Sequence, residues 1–334
     1  MRRRMSAYVM FDTIDRIVNL DLGKRGVDKL YEPARARSGE ALSAAAARCI
    51  AKLAAGDRVA LVTGLLTRPW VSMTIGETDG PVGTAALARA LSYGFNAIPV
   101  VVTDSSLLEP IGATLRAAGL TVVTLEQARR ATSNRRFCGV AVTLGYPLAD
   151  DEARAEANRL LDELTPRVVI AIERPGMTVR GTYHNMFGQD YSEGCARIDY
   201  LVEEAGERRI PTIGIGDGGN EIGMGAIAEA VRKHVPHGEI LCARVATDVL
   251  LPVGVSNWGC YGIQAALAIL TEKPELAHNS SLEKHLIEVA AAAGLVDGIT
   301  GKCEATVDGM PVEVHMGIVQ LLQTIVERAL RRDH

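Results

Sequence analysis

From residue 57 onward, short apolar runs alternate with longer stretches in which apolar residues recur every three or four positions. The runs are RVALVTG (58–64), AIPVVVTD (97–104), LTVVTL (120–125), RVVIAIE (167–173), IPTIGIG (210–216), ILCARVA (240–246) and VLLPVGV (249–255). They are nearly continuous rather than alternating, which predicts strands buried on both faces, as in a parallel sheet covered by helices. Between them, a segment beginning at Pro81 sets Leu87 and Leu91 four apart and stops at Gly94. ADDEARAEANRLLDEL (149–164) is acid-rich at its start and closed by Pro166. Both read as amphipathic crossover helices. The segment after Glu221 spaces Ile227, Val231 and Val235 helically, with Pro236 beyond, so a helix is expected there as well. The expected fold class is α/β, with a mainly parallel central sheet flanked by helices in three layers. Residues 1–56, including the Ala-rich SGEALSAAAARCIAKLAAG, read as a helical N-terminal extension packed on the main domain. Residues 57–334 read as the α/β catalytic domain, closed by the helix MGIVQLLQTIVERALRR, with a single domain overall.

Polar clusters interrupt this pattern at one topological address. ETDGPVG (77–83) follows the first strand, IERPG (172–176) and GDGGNE (216–221) end later strands, VSNWG (255–259) ends the last, and GTYHN (181–185) lies in a long loop. The carboxyl ends of parallel strands border the ligand crevice of an open α/β sheet, so these clusters are expected to converge. In extended backbone, Glu77 and Asp79, two residues apart, point to the same side. Taken alone, ETDGPVG is equally a turn leading into a helix, and His184 between Tyr183 and Asn185 is more simply a solvated loop residue than a base. Trp258 most simply packs at the start of a helix capped by Ser256 or Asn257. Arg174 has the fork geometry to take a carboxylate bidentately.

The loop IGIGDGGNEIGMG (213–225) satisfies G-x-G-x-x-G through Gly214, Gly216 and Gly219. Asp217 and Glu221 would place like charge beside a pyrophosphate, so no nucleotide cofactor is expected. A phosphatase reading makes these acids magnesium ligands but needs a D-x-D nucleophile, and the best candidate, Asp104 in VVVTDSS, lacks the second Asp. A hard divalent cation, Mg or Mn, held by oxygens from Asp217, Asn220, Glu221, Glu77 and Asp79 is consistent with the residue types. So is a Gly-rich turn capped by Asn220.

Composition narrows the classes further. The chain has 334 residues, 48% apolar and 23% charged, with net charge −4. Four Phe and two Trp leave little for base stacking, and with no basic field nucleic acid is excluded as a partner. Six scattered cysteines without a C-x-x-C pair fit reduced thiols rather than a disulfide framework or zinc site. No stretch of about 20 apolar residues occurs, so neither a membrane span nor export is expected. H-E-x-x-H and G-x-S-x-G are absent, and GITGKC (298–303) has the Gly-Lys of a P-loop without its upstream spacing.

Taken together, TIGETDGPVGTAALARAL, AIERPG, GTYHN, IGIGDGGNEIGMG and VSNWGCY resemble the D-glutamate cyclase family over roughly residues 57–330. The resemblance implies a hydro-lyase that dehydrates D-glutamate to 5-oxo-D-proline, here in a stand-alone, bacterial-type, cytoplasmic form whose oligomeric state the sequence leaves open. Carried onto this chain, it makes Glu77, Asp79, Glu173, Asp217 and Glu221 the candidate acid/base groups. Gly80, Gly83, Arg174, Tyr183, Asn185, Gly218, Gly219, Asn220, Ser256, Asn257 and Trp258 are then the candidate substrate contacts for a small acidic amino acid. Two other readings stand beside it: a magnesium-dependent phosphatase, and a non-catalytic amino-acid or nucleotide sensor.

Overall fold

Seven strands form one sheet in the computed structural model, which describes residues 2–133 and 138–331. They are β1 (Arg58–Thr63), β2 (Ile98–Asp104), β3 (Thr121–Val122), β4 (Val140–Tyr146), β5 (Val168–Ile172), β6 (Thr212–Gly216) and β7 (Val249–Pro252). Their order is β3-β4-β2-β1-β5-β6-β7, and every pairing is parallel. The chain therefore leaves β1 toward one edge and returns at β5 to build the other half. That reversal between β1 and β5 is a switch point, where a crevice opens at the carboxyl ends. The convergence expected from the sequence depends on this parallel arrangement.

The Val-, Ile- and Ala-rich strands are almost wholly buried because helices cover both faces. Helices Pro81–Phe95, Ser256–Thr271 and Val312–Leu330 pack together on one side, and Asp150–Leu164 packs with Asp199–Glu207 on the other. The N-terminal helices Arg2–Val18 and Leu42–Ile50 lie against Ser256–Thr271 and place Phe11, Ile14, Val18, Leu42 and Ile50 in the continuous apolar core. Among the described residues no helix is long and apolar enough to cross a membrane.

Two strand expectations change. ILCARVA (240–246) is not a strand: Gly238–Leu241 forms a helical turn, and the following chain is irregular. Its apolar residues are there to be buried, not to pair in the sheet: Leu241 and Ala243 lie in the core, while the Arg244 N–H donates to Met177 O at 2.8 Å and Val245 O accepts from Gly223 at 2.9 Å. Conversely, β4 had no counterpart among the predicted runs. Its glycine, Gly145, lies where a Cβ would overlap Ser105 Oγ, so close packing of the neighbouring chain removed the side chain that would have strengthened the strand signal.

Candidate active site

Carboxylates from four segments meet at the β1/β5 crevice. After β1 the chain loops outward and returns through Glu77, which forms a parallel bridge to Val296, and Asp79, which immediately precedes the helix Pro81–Phe95. Gly80 sits at φ 91°, and a Cβ there would lie 2.8 Å from Glu173 Cβ and 2.9 Å from Thr63 Oγ1. Only glycine accommodates both the left-handed backbone and that approach.

Asp79 and Asn257 cap one another's helices. The Asp79 carboxylate accepts the backbone N–H groups of Ser256 at 2.9 Å and Asn257 at 2.8 Å. Asn257 Oδ1 accepts those of Gly80 at 2.9 Å and Gly83 at 2.6 Å. Each side chain thus satisfies orphan donors at the start of the other's helix. Two helix N-termini, with their partial positive charge, are held beside the carboxylates.

Glu173 follows β5 directly, in a left-handed conformation (φ 44°) unusual for a residue with a side chain. Its Oε2 accepts the Ser256 hydroxyl at 2.6 Å. Asp217 follows β6 and pairs with Arg25. Glu221 instead folds back on its own loop: its carboxylate accepts the N–H groups of Asp217 (3.0 Å), Gly218 (2.6 Å) and Gly219 (2.7 Å), with Gly219 at φ 108°. Asn220 donates to His184 O at 2.9 Å, which ties this loop to GTYHN. The glycines of GDGGNE therefore supply N–H groups to an internal carboxylate.

Oxygens of Asp79, Glu173 and Asp217 lie within 4.8 Å of one another, and all three residues are buried. Burial pushes the Glu173 and Asp217 carboxyls well above the usual carboxylate range, and the carboxylates around them add to the shift. Glu77 is raised in the same way, by burial and then by Asp308 and Asp79. Asp79 is pushed up to about 8 by burial and Asp308, against the opposing effect of its two N–H donors and Arg25. At neutral pH such a cluster holds protons, which suits acid/base work. The three mutually close oxygens are hard donors and fit a divalent cation of the Mg or Mn type. In this grouping Glu173 joins Asp79 and Asp217, whereas Glu221 and Asn220 are engaged in shaping their loop.

The other predicted residues have definite places. Arg174 points away from the crevice: it pairs with Asp104 and donates to Gly64 O and Ala196 O, both at 2.7 Å. Its neighbour Asp104 also accepts the Ala196 N–H at 2.7 Å, so neither is available as a carboxylate clamp or a phosphatase nucleophile. Tyr183 is buried, its hydroxyl donating to Asp199 at 2.6 Å. Asn185 Oδ1 closes its own turn, accepting from Phe187 at 3.0 Å and Gln189 at 3.1 Å. Trp258 is buried, and its indole N–H donates to His315 Nδ1 at 3.0 Å.

Two contributors had no motif to announce them. Arg25, from the loop after the first helix, reaches Asp217 and also Asp308, at 3.1 Å. Asp308 sits at φ 53° in the turn of a small hairpin, Thr306–Val307 with Met310–Pro311. Asp297 shapes the preceding segment by accepting from Ile299 (2.8 Å), Thr300 (2.7 Å) and Gly309 (2.7 Å). Gly298, from GITGKC, lies so near Glu77 that a Cβ would be 2.5 Å from Oε2. That segment therefore walls the crevice.

A doubly wound parallel sheet with buried carboxyls of raised pKa at its switch point places the chain among α/β proteins whose ligand crevice opens at the carboxyl ends of the strands. A family model described as D-glutamate cyclase-like, C-terminal, matches residues 14–323, and the chain belongs to that family. It is 34% identical over 199 residues to the human mitochondrial D-glutamate cyclase, a match covering 58% of this chain and 30% of that protein.

Proposed function

We propose that this chain catalyses the intramolecular dehydration of D-glutamate to 5-oxo-D-proline and water, as a hydro-lyase acting in the cytoplasm. The observation that carries the reading is the buried Asp79–Glu173–Asp217 cluster with its raised carboxyl groups, in a chain of the D-glutamate cyclase-like family.

The reaction sets a definite proton count. An ammonium carries three hydrogens and the lactam nitrogen keeps one, so two protons must travel from nitrogen to the γ-carboxylate oxygen that departs as water. No proton is gained or lost overall. In the protonation state of the cluster in which Glu173 is the bare member, Glu173, held by the Ser256 hydroxyl at 2.6 Å, takes the first ammonium proton as general base. A neighbour that is still protonated, Asp79 or Asp217, gives one to the departing oxygen. Once the nitrogen has attacked, the neighbour now bare takes the second proton from nitrogen and Glu173 delivers its own to the same oxygen, so water leaves and both carboxyls return to their starting states. Each positioned proton transfer contributes about 10²–10⁴-fold. A divalent cation held by Asp79, Glu173 and Asp217 would neutralise the γ-carboxylate and its tetrahedral successor. Burial keeps bulk water from competing with the departing one.

The test is to incubate the purified protein with D- or L-glutamate, with and without a chelator, and follow loss of the primary amine together with loss of 18 mass units, about one water. Turnover of the D-isomer alone is expected. Saturable binding without turnover would replace the cyclase reading with a sensor.

A further inference from the structure

The carboxylates of the crevice face a guanidinium that no motif announced, and its placement is built rather than incidental. The loop carrying Arg25 is fastened to the end of β7: Asn19 Nδ2 donates to Pro252 O at 3.0 Å, and the Gly254 N–H donates to Val18 O at 2.8 Å. Gly254 leaves room for this crossing, since a Cβ there would overlap Leu20 O. Within the loop, Asp21 accepts the N–H groups of Arg25 at 2.8 Å and Gly26 at 2.7 Å. The side chain then projects across the strand ends to Asp217 and Asp308. Among the described residues it is the one basic side chain ion-paired with the cluster.

We propose that Arg25 is the anchor for the α-carboxylate of the substrate, an inference that rests on the amino-acid substrate of the preceding section. An anionic ligand entering a crevice of carboxylates is repelled unless a cation meets it. Arg174, the other candidate, is buried and already paired with Asp104. The Arg25 side chain keeps 21% of its surface, against 4% and 7% for its partners Asp217 and Asp308, so of the three it is the least buried side chain. Burial works against its charge, but Asp217, Asp308 and Glu173 more than restore it. Its contacts use Nη1 and Nη2, and a guanidinium has five N–H donors, so donors remain for a carboxylate. With the α-carboxylate held at this rim, the γ-carboxylate extends toward the proton-holding acids beneath.

The test compares wild type with Arg25→Gln and Arg25→Lys, using D-glutamate and its α-amide, which is the same molecule with the α-carboxylate neutralised. Circular dichroism and thermal melting confirm folding, and the lysine variant keeps the charge should the glutamine variant misfold. Wild type should prefer D-glutamate over the amide. Arg25→Gln should raise KM for D-glutamate by about 10–100-fold, the loss of one or two charge-assisted hydrogen bonds, with little change for the amide and a smaller effect on kcat. Arg25→Lys should fall between. A purely structural role would weaken both ligands alike, and an unchanged preference in folded Arg25→Gln overturns the proposal. If wild type binds D-glutamate without turning it over, the cyclase reading fails, while the same preference read by calorimetry still decides on Arg25. If wild type neither binds nor turns over D-glutamate, both fall.

Discussion

Replacing Glu173 by glutamine is expected to stabilise the fold above pH 5 while stopping the chemistry. The residue is buried, held in left-handed backbone and surrounded by Asp217, Glu221, Asp79 and Glu77, so burial and like charge raise its folded-state pKa well above the usual 4.5. Below about pH 4.5 both folded and unfolded chains keep the proton, and Glu173 contributes no pH dependence. Above it the unfolded chain releases the proton and the folded chain does not, so stability falls with rising pH by ~1.4 kcal/mol per unit for each proton retained, until the folded pKa is passed. Glutamine keeps an oxygen to accept from Ser256 but has no proton to retain. By pH 6.5 the variant should therefore have gained up to ~2.7 kcal/mol relative to wild type, or roughly 5 °C in melting temperature for a chain of this size. Asp79, Asp217 and Glu77 titrate together with Glu173. Where Glu173 is ionised, replacing it also removes a charge and lowers the others' pKa values, which acts in the same direction. Thermal melts of both proteins from pH 4.5 to 7.5 in chelator measure the gap, and D-glutamate turnover measures the loss, expected at about 10²-fold or more. Parallel melting profiles, or a variant less stable than wild type at pH 7, would refute the electrostatic account of the cluster.

Two further outcomes follow from the hydrogen bonds that hold the crevice open. Asp79→Ala leaves the buried N–H groups of Ser256 and Asn257 without the acceptor they have now and should cost about 2–4 kcal/mol in chemical denaturation near pH ~4, a loss that shrinks as pH rises because the raised Asp79 carboxyl no longer opposes folding. Asn257→Ala should behave similarly through Gly80 and Gly83, and because the two caps brace the same pair of helices, the double mutant should lose less than the sum by about 1 kcal/mol; strict additivity would argue against coupled caps. Gly254→Ala should drive the N-terminal loop off β7, because the added Cβ meets a backbone carbonyl oxygen that cannot rotate away. Its expected signature is a raised KM for D-glutamate resembling that of Arg25→Gln, together with faster amide exchange in residues 19–27, and an unchanged KM would disconnect the loop from the site.

The layered fold and the address of the site were legible because buried parallel strands write long apolar runs and because polar residues at their carboxyl ends have few other reasons to cluster. β4 escaped because Gly145, required by Ser105, diluted its run, and 240–246 misled because an apolar stretch records burial without recording hydrogen-bond partners. Arg174 lies apart from the carboxylates with which IERPG had grouped it, for a geometric reason. Glu173 lies beyond β5 in left-handed backbone, a turn that IERPG does not announce, and there the chain sends Glu173 to Ser256 and Arg174 to Asp104. Arg25 was illegible because its place depends on where the loop is fastened, by contacts such as Val18–Gly254, and Asp308 because the Asp-Gly of VDGM announces a hairpin turn without saying what the turn faces.

The division of labour among the carboxylates follows from where their oxygens are spent. Glu221 gives its oxygens to three backbone N–H groups of one loop, and Asp79 gives both of its oxygens to the start of a helix, so these two define the geometry of the crevice. Glu173 has a single hydroxyl partner, and Asp217 a guanidinium held by a separate loop. Their oxygens are the least committed, and they lie within 4.8 Å of those of Asp79. Two helix N-termini and Arg25 supply positive potential, yet burial still raises the cluster, and the remaining imbalance is met by bound protons or by a cation. A reaction that moves two protons from nitrogen to oxygen without net exchange needs such a store, with some members protonated and others bare at the same pH. Under the proposed dehydration, the left-handed backbone at Glu173 and the repulsion among its neighbours trade stability for proton transfer, and the glutamine variant should reverse that trade.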